Sequence, residues 1–323
     1  MRSIAIINQK GGVGKTTTTV HVAAALAEEG AHVLLLDLDP QSHATLHLGI
    51  ELDPETPSIY DVIVNGAPLA GIAHAAADRL VVLPARVDLA AAEVELAARE
   101  QRETVLARVL QPYQEGFDFC FLDCAPSLGL LTVNALVAVE EVIIPLQPHF
   151  LALQGLGRLL ETIALVRQSL NPNLRVSGVV LCMYERGTRL AQEVQDDVTR
   201  FIAEAQPDEP WYGARVFKTV IRRNIKLAEC PSFGQTVFQY AASSNGAEDY
   251  RALSHEIRAN NGRPTPTSAA KEQVLTTASQ PADEVVAPSA AAQSDPVALN
   301  AEQAAEANET PAAAAEMEDA ASS

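Results

Sequence analysis

Four cysteines in 323 residues, at positions 120, 124, 182 and 230, form no Cys-x-x-Cys pair. That usage excludes a disulfide framework and fits a reduced cytoplasmic protein. Long apolar runs are missing too. No stretch approaches the roughly 18 residues a membrane span requires. The first apolar run starts at Ile4 and is only a strand long, so no signal peptide is expected. Basic residues are scarce: 23 Lys and Arg stand against 41 Asp and Glu, a net charge of −18. As a sum, that charge opposes nucleic-acid binding. The deficit is unevenly spread, because residues 264–323 hold ten acidic residues and a single basic one, Lys271. A local basic patch within residues 1–263 is compatible with the remainder.

What is present is a large apolar fraction, 48%, enough for a substantial core. From residue 1 to about 263, short apolar segments at 33–37, 80–83, 117–122, 142–146 and 176–183 read as strands. Helical runs fall between them, for example 153–170 and 190–205. Such alternation predicts an α/β fold: a mostly parallel, twisted sheet with helices on both faces. Ligands of such sheets bind at the carboxyl ends of the strands. After Arg263 the composition turns to Ala, Pro, Ser, Thr, Gln and Glu with almost no aromatics. This stretch cannot bury enough surface to offset ordering entropy, so 264–323 is expected to be a disordered acidic tail. The ordered domain is expected to be 1–263.

Residues 8–18 read Asn-Gln-Lys-Gly-Gly-Val-Gly-Lys-Thr-Thr-Thr, after the apolar run 4–7 and before the helix-like run 20–27. A strand, a glycine-rich loop and a helix form the context of a phosphate-binding loop. Gly11, Gly12 and Gly14 let successive N–H groups point inward at phosphate oxygens. The helix starting near Lys15 adds the positive end of its dipole. Lys15 can reach the β- and γ-phosphates, and the Thr16 hydroxyl can take a place on Mg²⁺. The loop departs from G-x-x-x-x-G-K-[ST] in having Gln9 at the first glycine position, and it carries a second lysine, Lys10. One lysine suffices for one nucleotide, so Lys10 needs a separate explanation.

Two carboxylates, Asp37 and Asp39, stand at the end of the second strand in Asp-Leu-Asp-Pro-Gln. At i and i+2 on an extended segment they point to one side, where they can orient water and bind magnesium through water. A plain strand-ending Asp-Pro turn is the other reading. Residues 119–123 form an apolar strand ending in Asp123, a Walker B element able to hold Mg²⁺ through water. Cys124 beside it reads as a packing residue. Arg186, Arg189, Lys218, Arg222, Arg223 and Lys226 supply cations downstream. Converging on one face, they would bind phosphodiester backbones without reading sequence. Alternatively they are solvated charges balanced by Glu193, Asp196, Asp197 and Glu204.

Lys10-Gly11-Gly12-Val13-Gly14-Lys15-Thr16-Thr17 resembles the deviant Walker A loop of the ParA/MinD ATPases. Asp39-Pro40-Gln41, the run 126–136 (Pro-Ser-Leu-Gly-Leu-Leu-Thr-Val-Asn-Ala-Leu) and Arg223-Asn224…Gly234 are similar to later motifs of the same family. The resemblance covers about residues 3–258 and is nearer to the Soj/ParA branch than to MinD. It implies a P-loop NTPase of the deviant Walker A class that binds ATP and Mg²⁺. Residues 11–17, Val13 and Thr17 included, would surround the phosphates. Lys10 would cross to the ATP of a second subunit. Lys10, Lys15 and Asp39 would serve hydrolysis, with Asp37 a structural partner. Thr16, Asp123 and Asp39 would serve the metal, and Glu229 and Pro231 would pack against adenine.

The same resemblance implies an ATP-dependent homodimer that binds nucleoid DNA non-specifically through Arg189, Lys218, Arg222, Arg223 and Lys226. It also implies a ParB-like partner that stimulates hydrolysis to segregate a chromosome or plasmid. Positioning of another cargo is an alternative. The departures are Ser42-His43 for the usual Gly-Asn, Ala125 for a proline, Arg222 for a proline, and the acidic tail. A MinD-type membrane ATPase would carry a basic amphipathic helix where this chain has the tail, so no membrane partner is expected. A dinucleotide oxidoreductase fails because its third glycine position is Thr17. An iron–sulfur reductase fails because Cys120 and Cys124 are misplaced for a cluster. The chain starts directly with a strand, so operator-specific DNA binding is not expected.

Overall fold

A computed structural model describes residues 1–259 of the chain. The expected acidic tail, 264–323, lies outside the described residues. The elements run β1 (Arg2–Ile6), α1 (Lys15–Glu28), β2 (Val33–Leu38), α2 (His43–His47), β3 (His74–Ala77), β4 (Leu80–Leu83), α3 (Leu89–Ala97) and α4 (Val105–Leu110). They continue with β5 (Phe119–Cys124), α5 (Leu130–Ala138), β6 (Glu141–Leu146), α6 (Ala152–Ser169), β7 (Arg175–Tyr184), α7 (Arg189–Ala203) and β8 (Arg215–Val216). Last come β9 (Ile221–Arg222), α8 (Ile225–Glu229), α9 (Val237–Tyr240) and α10 (Asn245–Ala259).

The sheet order is β3-β4-β2-β5-β1-β6-β7-β8, with β9 also pairing to β7. Every pairing is parallel except β3 with β4 at one edge. Successive side chains of a strand face opposite layers, and two apolar clusters result. Ala5, Leu34, Leu36 and Leu122 face α3 to α7, while Ile4, Ile6, Leu35 and Phe121 face α1 and α10. Central strands buried on both faces read as the continuous apolar runs seen in the sequence.

Pro145 lies inside β6, a central strand, where a missing N–H ordinarily breaks the ladder. The β1 pairing with β6 ends at Ile6 and Ile143, so Pro145 lies beyond it. Its carbonyl accepts a hydrogen bond from Asn8 Nδ2 at 2.7 Å. This contact fixes the chain just where β1 leaves the sheet and the glycine-rich loop begins.

Candidate nucleotide site

Parallel register brings three strand ends to one place. Asp123 pairs with Ile6 across one side of β5 and with Asp37 across the other. The loop from Ile7 to Gly14 rises over those ends and runs into α1. Asn8 Oδ1 accepts the Lys10 N–H at 3.0 Å, so the same side chain that caps β6 also shapes the loop. Gly14 takes φ 93° as the N-cap of α1, a left-handed conformation strained for any residue with a Cβ. The first N–H groups of α1, which have no partner within the helix, therefore face the loop's concavity.

Lys15 begins α1, and only 7% of it is exposed. Its ammonium donates to the Lys10 carbonyl at 3.3 Å. Burial lowers its pKa, and the carboxylates of Asp123 and Asp39 oppose that shift. The Thr16 hydroxyl donates to Asp123 Oδ2 at 2.7 Å, and the Thr19 hydroxyl donates to Asp123 Oδ1 at 2.9 Å. Asp123 is fully buried; burial raises its pKa first, and the neighbouring Asp37 charge raises it further.

Asp37 and Asp39 take different places despite their spacing. Asp37 is fully buried and accepts from the Thr45 N–H, the Thr45 hydroxyl and the Asp39 N–H. It holds the start of α2 against the strand end, which is structural work. Asp39 lines the cavity, with one oxygen accepting the Gln41 N–H at 2.9 Å. Ser42 follows at φ 56°, which gives a physical reason why the related loops carry glycine there.

A cavity of about 790 Å³ opens over the loop, within the range of roughly 300–1,000 Å³ for small-molecule pockets. Gly11, Gly12, Gly14, Lys15, Thr16 and Thr17 form one wall, with Asp39 and His43 beside them. Arg222 to Ile225, Leu227 and Ala228 form another part of the lining. Glu229 and Pro231, expected against a base, are not among the lining residues. α8 starts from the Asn224 cap, which accepts the Lys226 N–H, and this turns Leu227 and Ala228 toward the cavity. Glu229 instead accepts from Lys226 Nζ at 2.8 Å and from the Tyr240 hydroxyl at 3.0 Å. Val13 is buried and can offer only its backbone.

Lys10 is exposed at the cavity's rim, its ammonium 2.6 Å from His149 Nε2. The basic group divides. Arg222 is held by Asp249 and Glu248, Arg223 by Glu185, and Lys226 by Glu229. Arg189 and Lys218 are exposed and make no ion pair among the described residues. Sequence reading missed Cys182, Met183, Ile221 and Tyr250 as lining residues. They come from strand ends and a helix far along the chain, and no local pattern marks them.

The donor set fits a nucleotide and a hard cation: inward N–H groups and an ammonium for phosphate, and hydroxyl and carboxylate oxygens for magnesium. Thr16, Asp123 and Asp39 would hold Mg²⁺, which when bound neutralises charge on the phosphates. Lys15 would hold the phosphate chain, and Asp39 would orient a water against it.

These parts define a P-loop ATPase with a deviant Walker A loop. A family model described as "AAA domain" matches residues 1–176. The chain is 44% identical over 258 residues to the Bacillus subtilis sporulation initiation inhibitor protein Soj, covering 80% of this chain and 98% of that one. It is 43% identical over 257 residues to the Myxococcus xanthus chromosome partitioning protein ParA, covering 79% and 87% respectively. A Mycobacterium smegmatis structure described as cobyrinic acid a,c-diamide synthase with a bound ATP analogue and magnesium superposes with TM-score 0.69 at 35% identity. That match covers 83% of this chain and all of that one (100%). The chain belongs to the ParA/Soj family, and it is an ATPase that uses ATP with Mg²⁺. Among the described residues no helix is long and apolar enough to cross a membrane.

Proposed function

We propose that the protein is a partitioning ATPase that cycles between monomer and ATP-sandwiched dimer. The observation that carries this reading is identity of 43–45% to ParA and Soj proteins over 79–80% of the chain. The exposure of Lys10 outside the lining of its own cavity supports it, since we read this lysine as the group that reaches the ATP of a second copy. The dimer binds DNA without reading sequence, which makes the protein nucleoid-associated in the cytoplasm. A ParB-like partner stimulates hydrolysis and so releases the dimer, and repeated cycles segregate a chromosome or plasmid. Asp39 activates the water, Lys15 retains the phosphates, and Thr16 with Asp123 serves the metal.

The test is reconstitution with ATP and magnesium. Light scattering should report a dimer with ATP and a monomer with ADP. Duplex DNA together with a ParB-like protein from the same genome should raise turnover at least tenfold over the protein alone. A monomer under all nucleotide conditions would contradict the reading.

A further inference from the structure

Behind the phosphate loop, one turn along α1 from Thr17, lies a buried polar cluster that the reaction does not use. His21 is fully buried there, beside His47 and Cys230. Its Nδ1–H donates to the Thr17 carbonyl at 2.7 Å, and a carbonyl can only accept, so the proton sits on Nδ1. Nε2 therefore carries the lone pair, and it accepts the Val237 N–H at 2.9 Å. The ring stacks on Tyr250 at 4.9 Å, and the Tyr250 hydroxyl is 3.2 Å from the Thr18 hydroxyl. Cys230 Sγ lies 3.6 Å from His47 Nε2 and 3.8 Å from His21 Nε2.

Two histidines and a thiol have the composition of a soft-metal site. The hydrogen bonds argue otherwise. The His21 lone pair is already occupied, and a metal would leave the Val237 N–H buried without a partner. What the geometry does provide is a span. Thr17 lines the cavity from the first turn of α1, and Leu227 and Ala228 line it from α8. One imidazole bonds the first turn of α1 at one edge and the first residue of α9 at the other. The 3-10 turn Cys230–Phe233, which continues from α8, packs on the same ring.

We propose that His21 is a positioning residue that ties the phosphate-binding end of α1 to the 225–240 wall of the cavity, so that phosphate binding and ordering of that wall are coupled. Phosphate contacts at residues 14–17 fix the first turn of α1. The Thr17 carbonyl then fixes the ring, and the ring fixes the Val237 N–H. Binding at one end of the cavity is thereby felt at the other.

Three variants test this. His21→Phe keeps an aromatic ring in the core and removes both hydrogen bonds. Val237→Pro removes the N–H donor at the first position of a helix, where proline is tolerated, and exchanges one buried apolar side chain for another. His21→Gln restores a donor and an acceptor at about the spacing of the two ring nitrogens. ATPase kinetics and hydrogen exchange with and without ATP are measured for each. Loss of the tie should raise KM for ATP about tenfold with kcat within about twofold. ATP should no longer slow exchange across 225–241, while it still slows exchange across 10–18. His21→Gln should bring KM back to within about threefold of the parent. A His21→Phe protein with lowered melting temperature but unchanged KM and unchanged ATP protection would overturn the proposal. Should His21→Phe fail to fold, Val237→Pro decides, and an unaltered KM and protection there overturns it. Stoichiometric Co²⁺ binding by the parent, with a thiolate band lost in His21→Phe, would also overturn it by showing Nε2 to be a metal ligand.

Discussion

The Arg222 guanidinium rests on the Asp249 carboxylate at 2.6 Å, joining β9 to α10 beside the nucleotide cavity. The same carboxylate accepts the Arg222 backbone N–H at 2.9 Å, and Glu248 adds a second ion pair at 2.7 Å. The Asp249 side chain is only 7% exposed, against 21% for Arg222. Arg222, expected to contact DNA, is thus largely committed within the chain. Removing one partner of a buried pair costs about 3–5 kcal/mol, and partial exposure reduces that. Arg222→Ala should therefore lose about 2 kcal/mol of stability. A urea midpoint equal to the parent's would contradict the assignment.

Lys15 and Asp39 should separate in their effects. Lys15→Ala removes the one ammonium buried at the phosphate loop, so ATP binding should fall below detection by calorimetry. Asp39→Ala leaves the loop and the Thr16–Asp123 contact intact. Its ATP affinity should stay within a few-fold, while turnover falls about 100-fold or more. Turnover at the parent rate would remove Asp39 from the chemistry.

Lys10→Ala tests the dimer. The side chain lies outside the lining of its own cavity, and its backbone N–H, held by Asn8, is kept in the variant. ATP should still bind the monomer with little change. ATP-dependent dimerisation, followed by light scattering, should be lost. A normal dimer would leave Lys10 a surface charge beside His149.

The loop, the strand-ending aspartates and the parallel sheet were legible because each rests on local order: glycine spacing, apolar runs, a carboxylate at a strand end. The structure places β5 at Phe119–Cys124 rather than 117–122, since Phe117 precedes the strand as a core residue. The base-side wall was not legible. Whether Glu229 or Leu227 faces the cavity depends on where a five-residue helix begins, and the Asn224 cap sets that through a bond to the Lys226 N–H. The spacing of Asp37 and Asp39 on one extended segment put both on one side, and only the resemblance separated their roles. Thr45, eight residues beyond Asp37, takes that carboxylate out of the cavity. His21 offered one local cue, its i+4 spacing from Thr17; its other hydrogen-bond partners, Val237 and Cys230, lie more than 200 residues away.

The stability contributed by the two buried histidines should fall as pH drops below about 6.5. Burial lowers the pKa of His21 from 6.5 to about 3 and of His47 to about 4, the His21 shift aided by His47. In that window the unfolded chain binds protons that the folded chain refuses, so this contribution decreases with falling pH. The slope approaches about 1.4 kcal/mol per pH unit for each histidine. Asp37 and Asp123, whose pKa values burial raises, act in the opposite sense and are common to parent and variant. In urea unfolding between pH 7 and 5, the stability of His47→Gln relative to the parent should rise as pH falls, because the variant lacks one histidine that the folded protein refuses to protonate. Identical slopes would mean that His47 is protonated in the folded protein.

DNA binding should depend on Arg189, Lys218 and Arg223 rather than on Arg222 and Lys226. Arg189 opens α7, Lys218 lies between β8 and β9, and Arg223 follows β9, which pairs with the carboxyl end of β7; all three are exposed. Arg223 is paired with Glu185, but both side chains are more than half exposed. An exposed pair is worth roughly 0–1 kcal/mol, so a phosphate can replace the carboxylate at little cost. Lys226 pairs with Glu229 and packs over the Tyr240 ring. The chain's net charge of −18 repels DNA at long range, but screening confines that repulsion to about 8 Å at physiological salt. Contacts made within that distance are set by the local cations. Replacing Arg189, Lys218 and Arg223 together by alanine should weaken binding of the ATP-bound protein at least tenfold, equally for unrelated duplexes. The salt dependence should flatten as fewer counterions are released. ATP turnover without DNA should stay near the parent value in the Arg189→Ala, Lys218→Ala double variant, because neither residue lines the cavity, whereas Arg223 does. If the triple variant binds DNA as tightly as the parent while Lys226→Ala does not, the surface lies on the α8 side and the division drawn here is wrong.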